Sequence, residues 1–509
     1  MNSKWFRELF RRRVYIIFML AVQLAFIIYI VVNGGMASSI INYSLRTLSV
    51  FAVFYIINSQ GKTEYKMIWI LLVLTFPIFG GFLYLIFNFQ RSVTKFSNTL
   101  DKIEQETRPD FKLIEDCPER ALNDCGEYKG LINYLDKTLG FPVYQNTQVK
   151  YLSPGEEKFK YMLEELKKAE RYIFLEYFIV ESGEMWDSIL EILKRKAAQG
   201  VEVRMIYDDL GCFLLLPNNY PKYLEQFGIK CKIFNRFRPV LTSLQNNRDH
   251  RKIAVIDGKV AFTGGVNLAD EYINKRDKHG YWKDASVMLS GNAAWSLTVM
   301  FLQMWEVNTG ERDDVSLFLP ATDGEGGKSD GYVQPYADSP VDTEHVGESV
   351  YLNIISSAKD YLYIATPYLV IDESLLTALK LAAKNGVDVR IITPRNKDKW
   401  FVHETTRSYY KELICAGIKI YEFRGFIHSK VFISDGKIGT VGTVNLDFRS
   451  LYLHFECGTV LYKCTALCDV YSDYIATLEN SDEITLASCK CNIFTRVLRE
   501  FLRMFAPLM

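Results

Sequence analysis

The sequence predicts an α/β protein with two similar sandwich units, related by pseudo-twofold symmetry and preceded by transmembrane helices. Three observations lead to this prediction. A sparse motif occurs twice at identical internal spacing, strand-like and helix-like segments alternate before each copy, and long apolar runs lie within residues 1–90. Alternating strands and helices imply sheets covered by helices, and two such units can bring their motifs together.

The first 90 residues are expected to form a membrane anchor with two or three transmembrane helices. Val14–Val32 contains only Gln23 as a strongly polar residue and follows the basic run Arg11–Arg13. About 20 apolar residues are enough to cross the hydrocarbon core of a bilayer. Met67–Phe87 is a second candidate span, although Pro77 interrupts it.

A shorter apolar segment, Leu48–Ile57, leaves the number of spans open, because it fits either a third span or a partly inserted hairpin. Basic residues favour the cytoplasmic side of a membrane. Lys62 and Lys66 favour three spans by this rule, whereas Arg91 and Lys95 favour two.

The remaining chain divides by composition and pattern. We expect a connector at 91–145, a first unit at 146–320, a linker rich in Gly, Asp and Ser at 321–348, a second unit at 349–490 and an amphipathic tail at 491–509. The pattern predicts a strand, a helix and a strand in each unit, at 171–180, 186–198 and 201–207 and at 361–370, 375–383 and 387–392.

The repeated motif reads H-x-K-x4-D-x6-G-[GT]-V-N. Its candidate site residues are His250, Lys252, Asp257 and Asn267 in the first copy, and His428, Lys430, Asp435 and Asn445 in the second. Each His and Lys stand two residues apart at a predicted strand start, so they should point to one face. Each Asp precedes a Gly, as in a hairpin turn, so the two aspartates fit a turn role and a catalytic role about equally well.

Paired His and Lys residues suit phosphodiester chemistry. One neutral imidazole can attack phosphorus, and the other can protonate the leaving alkoxide and then activate the acceptor. Lys252 and Lys430 would stabilise the non-bridging oxygens, and Asn267 and Asn445 would donate hydrogen bonds to the same atoms. This chemistry needs no metal ion or other cofactor.

A nucleophilic imidazole also needs an acceptor on its other ring nitrogen. Asp284 and Glu456 follow the first and second motif histidines, and each is expected to orient the histidine of its own half.

Composition narrows the class of partner. The 60 basic and 60 acidic residues give zero formal charge, which argues against a nucleic-acid partner. The ten cysteines lack the spacing of a zinc site and are expected to be free thiols.

The motifs resemble those of the phospholipase D superfamily, and the whole chain resembles its bacterial cardiolipin synthase branch. Besides the two motifs, the resemblance rests on short blocks in the catalytic region and on both ends of the chain. These are Glu176–Phe178, Thr366–Tyr368, Gly425–Lys430, Arg449–Ser450, Trp69–Phe87 and Arg499–Met509.

The resemblance implies two phospholipase D-like units and a multi-pass protein of the bacterial cell membrane. It implies that two phosphatidylglycerol molecules become cardiolipin and glycerol through a phosphatidyl-histidine, with His250 as nucleophile and His428 as acid and base. Asp284 and Glu456 are then the acids that orient the histidines. In one departure, His454 stands where the family's N-F-E block has Asn.

Two other functions fit parts of the sequence. A hydrolase would use the same residues with water as the acceptor. A non-catalytic membrane adaptor is disfavoured, because both motifs keep their His and Lys. The sequence carries no signal for an oligomeric state.

Overall fold

The structure, a computed structural model, describes residues 36–59, 61–88, 91–114, 116–237, 243–321, 331–342 and 344–509. The chain separates into two compact units. The first comprises Met1–Asn98 with Phe237–Asn246, and the second comprises Thr99–Arg236 with Asn247–Met509.

Three helices of the first unit pack on one another: α1 (Met36–Asn58), α2 (Thr63–Thr75) and α3 (Pro77–Asn88). A small apolar cluster of Ile56, Val73 and Tyr84 joins them.

The predicted span Met67–Phe87 is not one helix, because α2 ends at Thr75 and α3 begins at Pro77. Pro77 cannot donate a backbone hydrogen bond, and it disfavours helical geometry at the preceding residue. Phe76 accordingly has non-helical φ and ψ values of −129° and 76°.

Among the described residues, no helix is both long and apolar enough to cross a membrane. The candidate segment Leu48–Ile57 lies within α1, and the candidate span Val14–Val32 lies outside the described residues. The described part of the chain therefore does not support the two or three predicted transmembrane helices.

The remaining helices follow in chain order. They are α4 (Arg91–Thr107), α5 (Pro118–Asp124), α6 (Lys129–Asn133), α7 (Gly155–Lys168), α8 (Glu184–Ala198), α9 (Asp209–Cys212), α10 (Tyr220–Glu225), α11 (Ala294–Thr309), α12 (Val346–Ser357), α13 (Glu373–Lys384), α14 (Trp400–Cys415), α15 (Phe448–Tyr452), α16 (Ala466–Glu479) and α17 (Ile493–Met504). Short 3-10 or π segments lie at Arg108–Leu113, Gly126–Tyr128, Tyr134–Leu139, Ser243–Asn246, Asp270–Ile273, Val315–Phe318 and Ala506–Leu508.

The first half contributes strands β1 (Thr147–Leu152), β2 (Tyr172–Tyr177), β3 (Glu202–Asp208), β4 (Ile229–Phe234), β5 (Arg248–Asp249), β6 (Lys252–Ile256), β7 (Val260–Gly264), β8 (Trp282–Lys283) and β9 (Ser286–Gly291). The second half contributes β10 (Tyr332–Asp338), β11 (Tyr361–Ala365), β12 (Leu369–Val370), β13 (Asp388–Pro394), β14 (Lys419–Phe423), β15 (Phe426–Ile427), β16 (Val431–Ser434), β17 (Ile438–Gly442), β18 (Leu446–Asp447), β19 (His454–Tyr462) and β20 (Ser481–Ile484).

The two main sheets repeat one topology. The first has the strand order β1-β9-β7-β6-β2-β3-β4, and the second has β10-β19-β17-β16-β11-β13-β14-β20. In both, three neighbouring strands are parallel (β2-β3-β4 and β11-β13-β14) and the strands on the motif side are antiparallel. The predicted α/β fold with two similar units is confirmed, and β20 extends only the second sheet.

A central helix, α11, forms much of the core between the sheets. Every residue from Ala294 to Trp305 is buried, and the helix packs on strands of the first sheet and on β10 of the second. Phe301 of α11 stacks on Phe174 of β2, with ring centroids 4.5 Å apart. A helix that is apolar on all sides is typical of such an interior position.

The predicted strand-helix-strand segments are confirmed as β2, α8 and β3 and as β11, α13 and β13, with one difference. The strand expected at 361–370 is divided into β11 and β12 at Thr366-Pro367.

The predicted linker at 321–348 is wrong in part, because it contains β10, which pairs with β19 along its whole length. The polar composition of residues 321–330 hid this strand, whose residues Tyr332, Val333 and Tyr336 are buried.

Candidate active site

Two short parallel strand pairs cross between the halves and place the motif histidines. β5, just before His250, pairs with the start of β19, and the His250 amide donates to the carbonyl oxygen of Phe455 at 2.9 Å. β15, just before His428, pairs with β8, and the His428 amide donates to the carbonyl oxygen of Lys283 at 2.7 Å. The halves therefore meet directly beside the two motif histidines.

This register brings each histidine to the acid of the other half. His250 donates from Nδ1 to both carboxylate oxygens of Glu456, at 2.8 and 3.0 Å. His428 donates from Nδ1 to Asp284 Oδ2 at 2.7 Å. The prediction that each acid orients the histidine of its own half is wrong, because the crossing strands deliver Glu456 and Asp284 to the opposite motif. Nε2 of each ring is left for chemistry, since an ionised carboxylate only accepts hydrogen bonds.

Glu456 is held by the second half. The hydroxyl groups of Thr443 and Ser450 both donate to its carboxylate, Ser450 at 2.7 Å. Burial alone would raise the pKa of Glu456, but the adjacent His250 and Lys252 and the hydrogen bonds lower it. Glu456 is therefore ionised when His250 needs an acceptor.

Asp284 is held differently, by a close backbone approach. Its Oδ1 accepts from the Ala285 amide at 2.8 Å. A Cβ added at Gly265 would lie 2.0 Å from the same oxygen, so any larger residue there would displace the carboxylate. Gly265 and Thr443 occupy the same position of the two motifs. Gly265 leaves room for the Asp284 carboxylate, whereas Thr443 donates a hydrogen bond to Glu456.

The two lysines are buried directly beside the histidines. Lys252 Nζ donates to the carbonyl oxygen of His250, and Lys430 Nζ donates to that of His428. Lys430 Nζ also lies 2.9 Å from His428 Nδ1. An ammonium group has three N–H donors, so the carbonyl contact leaves each lysine able to bind a phosphate oxygen.

Burial controls the protonation of all four groups. It lowers the pKa of Lys252 to about 8, of Lys430 to about 7 and of His428 to about 4, and the Lys430 charge contributes to the shift of His428. Burial and Lys252 also hold the pKa of His250 well below its ordinary value. The free site thus contains neutral imidazoles, as a nucleophile requires. A bound phosphodiester anion would raise the pKa of Lys252, Lys430 and His428 and so favour their protonated forms.

The motif asparagines both line the site, with different partners. Asn267 accepts from the Ile179 amide at 3.0 Å and donates to the Tyr272 hydroxyl at 2.7 Å. Asn445 lies in the same cavity wall, and its Oδ1 has no hydrogen-bond partner in the described structure. Asn445 is the more available of the two for a ligand.

The motif aspartates lie at the far ends of the motif strands. Asp257 accepts from the amides of residues 170, 171 and 172, and Asp435 accepts from those of residues 359, 360 and 361. Asp257 follows the five-residue strand β6, which at about 3.3 Å per residue separates it from Lys252 by roughly 16 Å. The geometry supports the turn role, and the catalytic assignment of Asp257 and Asp435 is wrong.

A cavity of about 590 Å³ opens beside both histidines. Its wall is largely aromatic around the imidazoles, with Phe178 at 5.1 Å from His250 and with Tyr272 and Trp282 at 5.5 and 5.2 Å from His428, between ring centroids. The same wall also carries charged side chains, among them Lys399 and Arg449, so the cavity offers both apolar and charged contacts to an amphipathic phosphodiester.

Sequence reasoning missed several residues of this site. Thr443 lies inside the second motif and Ser450 inside the Arg449–Ser450 block, but the sequence does not reveal the contact of either residue with Glu456. Tyr272 and Trp282 carried no signal, because aromatic residues are common in cores.

Comparison with known proteins agrees with this geometry. A family model described as "Cardiolipin synthase, PLD-like domain" matches residues 162–305 and 351–478, which together are more than half of the chain. A second model, described as "Phospholipase_D-nuclease N-terminal", matches residues 47–87.

Similar proteins cover nearly the whole chain. The cardiolipin synthase of Alkalihalophilus pseudofirmus is 38% identical over 476 residues, which are 91% of this chain and 93% of that protein. Cardiolipin synthase 2 of Bacillus anthracis is 35% identical over 469 residues, 91% of this chain and 90% of that protein. An uncharacterized protein of Streptococcus mutans is 44% identical over 461 residues, 90% of this chain and 99% of that protein.

Among solved structures, phosphatidylserine synthase of Haemophilus influenzae has a TM-score of 0.57 at 14% identity, and the match covers 75% of this chain and 98% of that one. This similarity concerns the fold alone.

The duplicated sheet and the paired His-Lys motifs define an enzyme of the phospholipase D superfamily. Within that superfamily, the chain belongs to the cardiolipin synthase family, whose members are phospholipid synthases.

Replacing Gly265 with Ala tests the position of Asp284. The new Cβ must displace the carboxylate, and a misplacement of about 1 Å can lower a rate by roughly 100-fold, so we expect kcat to fall by about that factor. Gly126→Ala is the matched control, because its Cβ would meet no atom within 4 Å. Steady-state kinetics of both variants measure the effect, and equal kcat values would contradict the assignment.

Proposed function

We propose that the enzyme makes cardiolipin and glycerol from two phosphatidylglycerol molecules through a phosphatidyl-histidine on His250. The observation that carries the proposal is the pair of imidazoles on one cavity, each with Nδ1 bound by a buried carboxylate. Such an arrangement supplies two nucleophilic or basic Nε2 atoms at one phosphorus.

In the first step, His250 Nε2 attacks the phosphorus of one phosphatidylglycerol. The bond from phosphorus to the headgroup glycerol oxygen breaks, and protonated His428 gives its proton to that oxygen. Lys252 and Lys430 stabilise the charge on the non-bridging oxygens. The free glycerol leaves, and His428 is neutral again.

In the second step, a headgroup hydroxyl of another phosphatidylglycerol attacks the phosphohistidine. Neutral His428 takes the hydroxyl proton, the phosphorus–nitrogen bond breaks, and His250 is restored. Protons and charges balance over the two steps. A hydrolase would follow the same path with water in place of the second lipid.

A product assay separates the two acceptors. Purified full-length enzyme in phosphatidylglycerol micelles should form cardiolipin and glycerol in equal amounts, and His250→Ala should form neither. Phosphatidic acid with glycerol would replace the synthase proposal by hydrolysis. Turnover in His250→Ala equal to that of the wild type would contradict the assignment of the nucleophile.

We also propose that the enzyme works at a membrane surface and that α17 contacts the lipid. Arg499 and Arg503 on one side of α17 donate to Glu404 and Glu412 of α14, each at 2.9 Å, so the helix docks on the catalytic region. Helix α17 lies within the tail at 491–509 that the sequence pattern predicts to be amphipathic.

The opposite side of α17 is apolar and exposed. Its exposed residues are Ile493, Phe494, Val497, Leu498, Phe501 and Met504. Phe494 is the most exposed of these six side chains, at 83%. The chain then returns to the active-site cavity, whose wall includes Leu508 and Met509. An exposed apolar helix face of this kind suits a lipid surface, and it would hold the cavity next to its substrate.

Phe494→Glu tests the proposed lipid contact and leaves intact the ion pairs of Arg499 and Arg503 that hold α17 on α14. We expect activity on phosphatidylglycerol vesicles to fall about tenfold, because burying one Phe side chain contributes about 1.5–3 kcal/mol, while activity on dissolved short-chain phosphatidylglycerol is retained. Leu317→Glu is the control, since Leu317 is 63% exposed and lies beside Arg171, near the Asp257 turn. Equal losses on vesicles and dissolved lipid would contradict the proposal.

A further inference from the structure

His454 is a partly buried imidazole that the proposed reaction does not use. Its side chain is 11% exposed, and within the described part of the chain neither ring nitrogen has a hydrogen-bond partner. Leaving buried polar atoms unpaired costs free energy, so such a group is a candidate ligand. His454 also lines the active-site cavity, from which a small ligand can reach it.

The neighbours of His454 are both possible metal ligands. Its Nδ1 lies 3.8 Å from Glu456 Oε1, which is too far for a hydrogen bond, and its ring centroid lies 5.5 Å from that of His250. One ligand atom from each of His250, His454 and Glu456 can be chosen so that all three lie within 4.8 Å of one another.

A tetrahedral zinc site needs its ligand atoms somewhat closer together than this. Zinc binds nitrogen and oxygen ligands at about 2.1 Å, so adjacent ligand atoms lie roughly 3.4 Å apart. Neither nitrogen of the His454 ring is held by a hydrogen bond in the described structure, so rotation of this ring can bring the ligand atoms closer than 4.8 Å. The cavity leaves the fourth position to water or to a lipid phosphate.

The donor atoms select the class of metal. Two imidazole nitrogens and one carboxylate oxygen form a donor set that Zn²⁺ favours, and Cu²⁺ and Ni²⁺ also bind imidazole well. Mg²⁺ and Ca²⁺ prefer oxygen ligands. We propose that His250, His454 and Glu456 form an inhibitory site for Zn²⁺ and similar divalent transition metals.

Inhibition rests on the proposed role of His250. A metal on Nε2 would occupy the lone pair that attacks phosphorus, and a metal on Nδ1 would replace the hydrogen bond to Glu456. Either mode withdraws Glu456 from its orienting role. The buried Lys252 beside His250 opposes a second positive charge, so binding should be reversible by a chelator.

His454→Asn is the natural test variant, because Asn is the residue that the family resemblance predicts at this position. Full-length wild type and variant are titrated with ZnCl₂ in phosphatidylglycerol micelles, and each activity is divided by that of the same protein without metal. We expect the half-inhibitory zinc concentration to be at least tenfold higher for the variant. EDTA should restore wild-type activity, and MgCl₂ at the same concentrations should not inhibit.

A direct measurement of zinc binding tests the metal site independently of the proposed reaction. Equilibrium dialysis with ZnCl₂ should show one more zinc ion bound per chain in wild type than in His454→Asn. Both proteins contain the same ten cysteines, so thiol binding cancels in the comparison. Equal binding in the two proteins would overturn the site, whatever the activity. Extra zinc in the wild type without inhibition would overturn the inhibitory role and also contradict His250 as nucleophile.

Discussion

Two short parallel strand pairs, β5 with β19 and β8 with β15, join the two halves directly beside the motif histidines. Each pair fixes the amide of one motif histidine on a carbonyl oxygen of the other half. The same register brings Glu456 to Nδ1 of His250 and Asp284 to Nδ1 of His428. Neither half contains both a motif histidine and the carboxylate that binds its Nδ1 atom, so the proposed chemistry depends on the interface between them.

The duplicated fold is nearly symmetric, but its two sites are not. The longer acid, Glu456, meets Thr443 and Ser450, while the shorter acid, Asp284, approaches the bare backbone of Gly265. Asn267 is occupied by Tyr272, while the Asn445 oxygen is free of partners in the described structure. These differences give the two imidazoles different surroundings, as their proposed roles of nucleophile and acid–base group require. The extra imidazole of His454 lies only on the His250 side.

Much of this could be predicted from the sequence, because local signals carry it. Strand and helix patterns located β2, α8 and β3 and their counterparts, and the repeated motif located both histidines and lysines. The pairing of acids with histidines could not be predicted, because it depends on which strands cross between the halves. The turn role of Asp257 and Asp435 was one of two open interpretations, and the three amides around each carboxylate decided it. β10 was missed because its neighbours in sequence look like a linker, although both of its faces are buried.

Burst kinetics of two acid variants test the cross-half pairing most directly. The substrate is a phosphatidic acid ester of 4-nitrophenol, whose leaving group needs no proton from His428 at neutral pH. The account predicts that Asp284→Asn keeps the rapid burst of nitrophenolate, because His250 and Glu456 are intact. It predicts that Glu456→Gln slows the burst by roughly 100-fold or more, because His250 loses its orienting carboxylate. The reverse result, with the burst lost in Asp284→Asn and kept in Glu456→Gln, would contradict the pairing across the halves.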